Sequence, residues 1–458
     1  MGNWDDLSAA RDFHERTKHS FESVRRSAHR LDWENRPSPW KEYGALAPVA
    51  LPDAVPLARV LRWGAGVLRR REAGPGDVYH FRTYASAGAL YPVEVYVATG
   101  ERDGLPAGLY HFHPLENTLR PLRAGDHRAV LAQAGDAPEL ASAEAVFVLT
   151  GILWRTAWKY GARGYRHLYW DAGTMLANLL ALAPEPRLVT GFLDARVNEL
   201  VAVDGKREAA LALLASGEAE RAGEPPPQRP LDLDVAPLSG EEREYPEAHA
   251  LHAASTLTSV DELKRYRRPA PNPAPPALAG IERVLRRRGS ARTFTPAPLP
   301  VSELEEILRD AMNPIPADVP ALTDLYVIAN AVEDLEPGAY RFREGEFELL
   351  KRGDFRGWGA YLCLEQEHGG RAAATHFFLA DLDRILAELG NRGYRAAQLE
   401  AGIRAGRVYL GSYARGYGAT GLTFYDDDVA RFFTGATRFQ PMLCVAAGPY
   451  ARRAQIRR

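Results

Sequence analysis

Residues 165–177 read YRHLYWDAGTMLA, and residues 394–406 read YRAAQLEAGIRAG. Aligned without gaps, both begin Tyr-Arg and both carry an acid followed by Ala-Gly, at Asp171-Ala172-Gly173 and at Glu400-Ala401-Gly402. The offset, 394 minus 165, is 229, half of the 458-residue chain. Downstream of the first copy lie Gly191, Phe192 and Asp204-Gly205; downstream of the second lie Gly421, Leu422 and Thr434-Gly435. Self-similarity at a fixed offset marks a repeated structural unit. Two copies in one polypeptide predict an imitation of a homodimer, with the interface between copies as the natural place for a ligand.

Each half mixes element types. The segments 93–99 (VEVYVAT) and 146–149 read as strands from their β-branched and aromatic content. The segments 168–183 and 398–409 carry apolar residues three and four apart, the spacing of helices. The predicted class is therefore α+β. Proline-rich stretches at 224–230 (EPPPQRP) and 269–276 (PAPNPAPP) read as extended connectors. The expected boundaries are a helical N-terminal extension over 1–34, a first unit over 35–216, a Pro-rich linker over 217–280 with a short helix around 241–254, and a second unit over 281–458.

Composition excludes several classes. At 46% hydrophobic and 25% charged the chain is globular. Fifty-seven Lys and Arg nearly balance 59 Asp and Glu, so no global field would hold nucleic acid or an anionic membrane. The longest apolar stretch, 175–183 interrupted by Asn178, is far short of the ~20 residues of a spanning helix. The first residues lack the apolar core of a secretory signal, which predicts a cytoplasmic protein. Cys363 and Cys444 are too few for a disulfide framework and read as buried reduced thiols.

Two local patterns carry chemistry. Residues 86–92, SAGALYP, put small side chains before a strand, letting backbone approach a flat ligand; the same string also serves as a tight strand-entry turn. Arg288-Gly289-Ser290-Ala291-Arg292 sets two guanidinium groups around a hydroxyl, a pattern that surrounds phosphate or, alternatively, ends a basic surface helix. The C-terminal Arg452, Arg453, Arg457 and Arg458 would add charge to the same place or form a frayed tail.

Several other matches are set aside. His14 and His19 stand five apart, where a helical zinc pair needs four. His111 and His113 share a strand face without a third ligand, as in a half-exposed hairpin. Residues 416–421, GYGATG, follow a helix and precede a strand, the reverse of the dinucleotide-binding order. Asp426 to Asp428 read as a solvated turn, capping the helix through Phe432.

Taken together, FHERTKHS, RPSPWKEY, RTYASAGALYPVEVY, GLYHFHP, WKYGARGYRHLYWDAG and the degenerate second copy beginning RRGSARTF resemble the FMN-dependent nitroreductase family, in its SagB/ThcOx-type dehydrogenase branch. The resemblance implies two nitroreductase-like units packed as an intramolecular pseudo-dimer around FMN. It implies that Arg288, Ser290 and Arg292 take the cofactor phosphate, with Arg452 adding charge. Ser86, Ala87, Gly88 and Leu90 would line the flavin ring, and Gly418 and Gly421 would bring backbone to its edge. Lys159 and Tyr160 match the catalytic Lys-Tyr pair of azole-forming members, the lysine as base and the phenol as orienter or relay.

The symmetric second site is expected to be damaged. Its phosphate segment would be 36–41 (RPSPWK), lacking the second arginine, and its cover loop 313–320 (NPIPADVP), lacking the SAG string. One FMN per chain follows.

The expected activity is dehydrogenation of an azoline-like heterocycle, on a small molecule or a modified peptide. The alternatives are an NAD(P)H-dependent nitro or quinone reductase, and a catalytically inactive scaffold or binding subunit. No nucleic-acid or membrane partner is expected, and the chain would be a monomeric pseudo-dimer or form a homodimer.

Overall fold

The two halves build two antiparallel sheets with one strand order. In the first the order is Val49–Ala50, Thr118–Ala124, Gly108–His113, Val93–Thr99, Ala145–Ile152, Glu208–Ser216, Arg187–Val189. In the second it is Glu346–Arg352, Gly338–Arg343, Asp324–Ala329, Ala374–Asp381, Phe439–Gly448, Gly418–Leu422. The computed structural model describes residues 4, 6–74, 77–267 and 280–451. Six strands thus correspond one to one, and the first sheet adds a short edge strand. Even a detail repeats: Tyr110 Oη donates to Pro106 O (2.6 Å) and Tyr340 Oη to Glu336 O (2.5 Å). The fold is α+β and tandem, as the repeat predicts.

The repeated segment lies on the helices Gly164–Leu182 and Arg392–Ala414, which cross between the sheets. Nearly every residue of both is buried, so neither shows a polar stripe over its full length. This is why helical spacing located only part of each. Glycine makes the crossing possible. A Cβ on Gly173 would stand 2.5 Å from Leu399 O, and one on Gly402 2.6 Å from Trp170 O. Gly406 similarly meets the Ala177 methyl at 2.5 Å. Gly173 and Gly402 are aligned partners in the repeat, so the pseudo-two-fold axis passes near this contact.

Flanking it, the repeat places matched ionic clusters. Arg163 and Arg166 of the first helix region hold Asp426 of the second half at 2.9 and 2.7 Å. Arg392 and Arg395 of the second hold Asp194 of the first at 2.6 and 3.0 Å. Each cluster is roofed by a short helix, Ser8–Arg16 over the first and Pro246–Ala254 over the second. Arg166 donates to His14 O (2.6 Å) and Thr17 Oγ1 (2.8 Å), while Arg395 donates to His252 O (2.6 Å) and Ser255 Oγ (2.7 Å). The linker helix therefore does for the second unit what the N-terminal helix does for the first.

Asp426 does not sit in a solvated turn: it opens the helix Asp426–Thr434 and is wholly buried. Burial raises its pKa, but the charges of Arg163 and Arg166 outweigh that and hold the carboxyl below its ordinary range. The His111 strand is likewise fully buried rather than half-exposed, with His111 Nε2 against Glu94 (2.9 Å). Cys363 and Cys444 are buried free thiols. Among the described residues no helix is long and apolar enough to cross a membrane.

Candidate functional site

A cleft opens where the first half's small-residue loop faces the second half's Ser290–Arg292 segment. The loop enters from the strand Asp77–Arg82 and makes one tight turn over Ala87–Ala89, with Gly88 at φ +63°. Ala89 and Tyr91 also have positive φ, +55° and +49°. Such backbone persists only where its surroundings over-determine it. Here Asp171 accepts from Ser86 Oγ and from Ala87 N (3.0 Å), Thr174 Oγ1 donates to Ala85 O (2.5 Å), and Asn178 Nδ2 to Thr83 O (3.0 Å). All three anchors lie on the helix Gly164–Leu182.

Gly88 joins the loop to the next motif. A Cβ there would stand 3.1 Å from Tyr160 Oη and 3.2 Å from Lys159 Nζ, so any side chain would push against that pair. Tyr160 is stacked on His167, with ring centroids 4.0 Å apart and planes 6° from parallel. Burial, then the charge of Asp171, raises the Tyr160 pKa, so the phenol keeps its proton. Lys159 moves the other way. Burial, then the nearby Arg292 and Arg36, lowers its pKa below 10.5. His167 donates Nδ1–H to Arg163 O (3.1 Å), and burial keeps its ring neutral.

Of the residues singled out in the sequence, Ser86, Ala87, Gly88, Tyr160, Ser290, Arg292 and Gly421 line this cleft, and Lys159 adjoins it through Gly88. The others lie elsewhere. Leu90 is buried with Ile152, Trp154 and Trp158. Gly418 faces the Tyr450 ring, 2.6 Å from where a Cβ would stand. Arg288 is buried and donates to the carbonyls of Thr83 (2.8 Å), Arg82 (2.9 Å) and Tyr84 (3.1 Å), bracing the loop's entry from the opposite half. Arg452 lies outside the described residues.

The structure adds residues that motif reading missed. Arg69, from the hairpin Val67–Gly74 with Asp77–Arg82, donates to Arg288 O (2.7 Å) and brings a second cation beside Gly289. The run of three arginines at 69–71 was its only sequence signal. Tyr409 receives the Gly421 amide (2.6 Å) and contacts Ser290 Oγ (3.4 Å). Asp171 lines the cleft with its pKa raised to about 7 by burial, a shift its two donors only partly offset. The aligned acid, Glu400, marks its position in the repeat.

That raised pKa fixes the sign of one prediction. The ionised form of Asp171 is disfavoured in the fold, so its contribution to stability is fully present below the unfolded pKa. It is lost as pH rises toward 7. Asp171→Asn keeps an acceptor for the Ala87 amide and turns the Ser86 bond round, its Nδ2 donating to Ser86 Oγ. Its melting temperature relative to wild type is expected to be higher at pH 8 than at pH 5, and a difference independent of pH would contradict the assignment.

The donor set and shape fit a flavin mononucleotide. Arg292 is exposed, and its guanidinium has no ion pair or hydrogen bond among the described residues. With Ser290 it could hold a phosphate, while Ala87, Leu422, Leu443 and Val445 offer small or apolar surface to a ring. Arg292→Ala should weaken flavin affinity about 10- to 150-fold, the equivalent of losing about 1.5–3 kcal/mol of charge-assisted bonding. Fluorescence titration with FMN measures this, and an unchanged affinity would remove Arg292 from the site.

The pseudo-symmetric position differs at every one of these points. By the offset of 229, Lys159 and Tyr160 correspond to Glu388 and Leu389. The segment 313–320 does border a second cavity there, as the sequence predicts, but Asp318 takes the Thr190 amide (2.9 Å) and the Gly191 amide (2.8 Å). The segment 36–41 does not reach that cavity. Lys41 is spent in a buried pair with Glu208 (2.6 Å), and Arg36 acts on Lys159 beside the first cleft.

The chain belongs to the nitroreductase family: the family's sequence profile matches both residues 51–218 and residues 285–448. Members of this family generally bind flavin. Over 154 residues the chain is 29% identical to the microcin B17-processing protein McbC of Escherichia coli, covering 31% of this chain and 56% of McbC. It is 29% identical over 136 residues to MJ1384 of Methanocaldococcus jannaschii, a candidate nitroreductase, covering 28% of this chain and 68% of that one. The match to McbC thus spans little more than half of that relative's length. A solved structure, a candidate nitroreductase from Anabaena variabilis, superposes over 97% of this chain and 99% of its own, with TM-score 0.80 and 25% identity.

Proposed function

We propose that this nitroreductase-family oxidoreductase is FMN-dependent and dehydrogenates an azoline-like heterocycle carried on a small molecule or a modified peptide. The observation that carries the reading is the meeting of Lys159 and Tyr160 with the Gly88 turn, in a cleft whose opposite wall presents Ser290 and Arg292. The name of the E. coli relative, a microcin B17-processing protein, favours a peptide-borne ring.

The redox chemistry, uptake of hydride from the ring and its delivery to oxygen or another acceptor, would be supplied by FMN held by Ser290 and Arg292. The residues of the chain supply position and proton transfer. Lys159, with its pKa lowered by burial and by two neighbouring arginines, takes the C–H proton as aromaticity develops. Tyr160, locked against His167 and protonated, orients the amine or the ring nitrogen. The apolar cluster of Leu90, Trp154 and Trp158 behind the pair keeps that side dry.

The absorbance spectrum of purified protein tests the reading. One flavin per chain is expected, bleached anaerobically by an azoline peptide and only slowly by NADPH. Rapid bleaching by NADPH alone would instead make the chain a nitro or quinone reductase, the former being the designation of its M. jannaschii relative. Protein that stays colourless after FMN is added would leave a non-catalytic scaffold.

A further inference from the structure

The second cavity is walled by Leu188, Ile315, Ala317, Leu399 and Ile403 and is apolar throughout except for Thr190, Glu400 and Arg404. No serine-arginine segment borders it, and Asp318 blocks its backbone amides, so it cannot repeat the first cleft's chemistry. Its electrostatics point elsewhere.

Arg404 is 2% exposed and lines the cavity. Its Nε donates to Glu400 (2.8 Å) and its Nη1 reaches Ala311 O (3.4 Å), while Nη2 has no partner among the described residues. Arg407, 7% exposed, donates to Asn313 O (2.5 Å) and Pro314 O (3.4 Å) and has no carboxylate partner among the described residues. Burial and the charge of Arg404 lower its pKa to about 10. Glu400 already accepts from the Leu322 amide (2.9 Å) and the Thr323 amide (3.0 Å).

Glu400 is the ion-pair partner of Arg404, and Glu400 and Asp310 both act on Arg407, which stands behind the cavity wall. What the cavity itself presents is therefore one guanidinium nitrogen, Arg404 Nη2, with no acceptor among the described residues. A guanidinium donor facing an apolar cavity without an acceptor is costly, and an incoming carboxylate would satisfy it with a charge-assisted bond. The pairing is special to this side: the aligned positions on the first helix are Met175 and Asn178.

We propose that this cavity binds an apolar monocarboxylate, with its body among Leu188, Ile315, Leu399 and Ile403 and its carboxylate on Arg404. The site is independent of the flavin cleft and of the reaction assigned to it.

Calorimetric titration of the 458-residue chain as purified, with octanoate and with octan-1-ol, tests this. Octanoate should bind saturably, one per chain, and octanol at least about tenfold more weakly, the size of one charge-assisted bond. Arg404→Gln and Ile315→Trp should each weaken octanoate at least about tenfold while FMN binding at the other cleft is unchanged. If Arg404→Gln fails to fold because Glu400 loses its cation, Ile315→Trp decides alone by filling the space. No saturable heat with octanoate, equal binding of both probes, or octanoate affinity that survives Ile315→Trp would overturn the proposal.

Discussion

Lys159→Ala is expected to remain yellow and to lose turnover by about 10²- to 10⁴-fold, the usual worth of a positioned general base. Among the described residues the lysine makes no hydrogen bond to Ser290 or Arg292, so cofactor retention should survive its removal. Its environment sets the pH dependence. Burial and the charges of Arg292 and Arg36 all disfavour the ammonium form, which brings its pKa below 10.5. Activity should therefore rise with pH as the amine forms. Arg36→Ala removes one repelling charge, raises that pKa, and should move the rise to higher pH without abolishing activity. Steady-state rates against pH, with absorbance recorded on the same samples, separate the two effects. Full activity of Lys159→Ala on an azoline substrate would end the acid-base assignment.

The largest effect on stability is expected from Asp426→Asn, at about 3–5 kcal/mol. The substitution leaves Arg163 and Arg166 buried, 3% and 0% exposed, without their shared anion. Asparagine could keep the bond from the His19 amide (2.8 Å) but not the charge. Because the native pKa of Asp426 lies below its unfolded value near 3.8, this stabilisation is present at neutral pH. It begins to fall below the unfolded value near 3.8 and is lost only as pH drops through the much lower native value, so the gap between wild type and variant in urea unfolding should narrow steadily in acid. Asp194→Asn should behave as a twin, since Arg392 and Arg395 surround it in the same way. A gap below 1 kcal/mol, or one that grows in acid, would show that the clusters are solvated in solution.

Much of the architecture was legible because it was written twice. The Ala-Gly pairs at 172–173 and 401–402 align without gaps, and they turn out to be the point where the helices touch. The repeat also pointed to the interface between copies as a place for a ligand, but that Ser86 and Arg292 of different copies would share it came from the resemblance to the family. What pattern reading could not supply was direction. Arg288 and Arg292 are equivalent in a string of letters, yet Arg288 turns inward to three carbonyls while the Arg292 guanidinium is exposed, with no partner among the described residues. Asp426 read as a surface residue because three consecutive aspartates ordinarily are; only the far-off Arg163 and Arg166 bury the first of them. The flanking helices Ser8–Arg16 and Pro246–Ala254 share a role but hardly any sequence, so their kinship emerged only from the carbonyls they offer.

Joining the two units in one chain changes what mutation can do to them. In a dimer of identical subunits a substitution is inherited by both sites at once, so any residue needed by one is imposed on the other. Here Lys159-Tyr160 could be kept while their counterparts became Glu388-Leu389, and Met175 and Asn178 could be kept while theirs became Arg404 and Arg407. The price of symmetry is removed, and each half is left free to change without carrying the other with it.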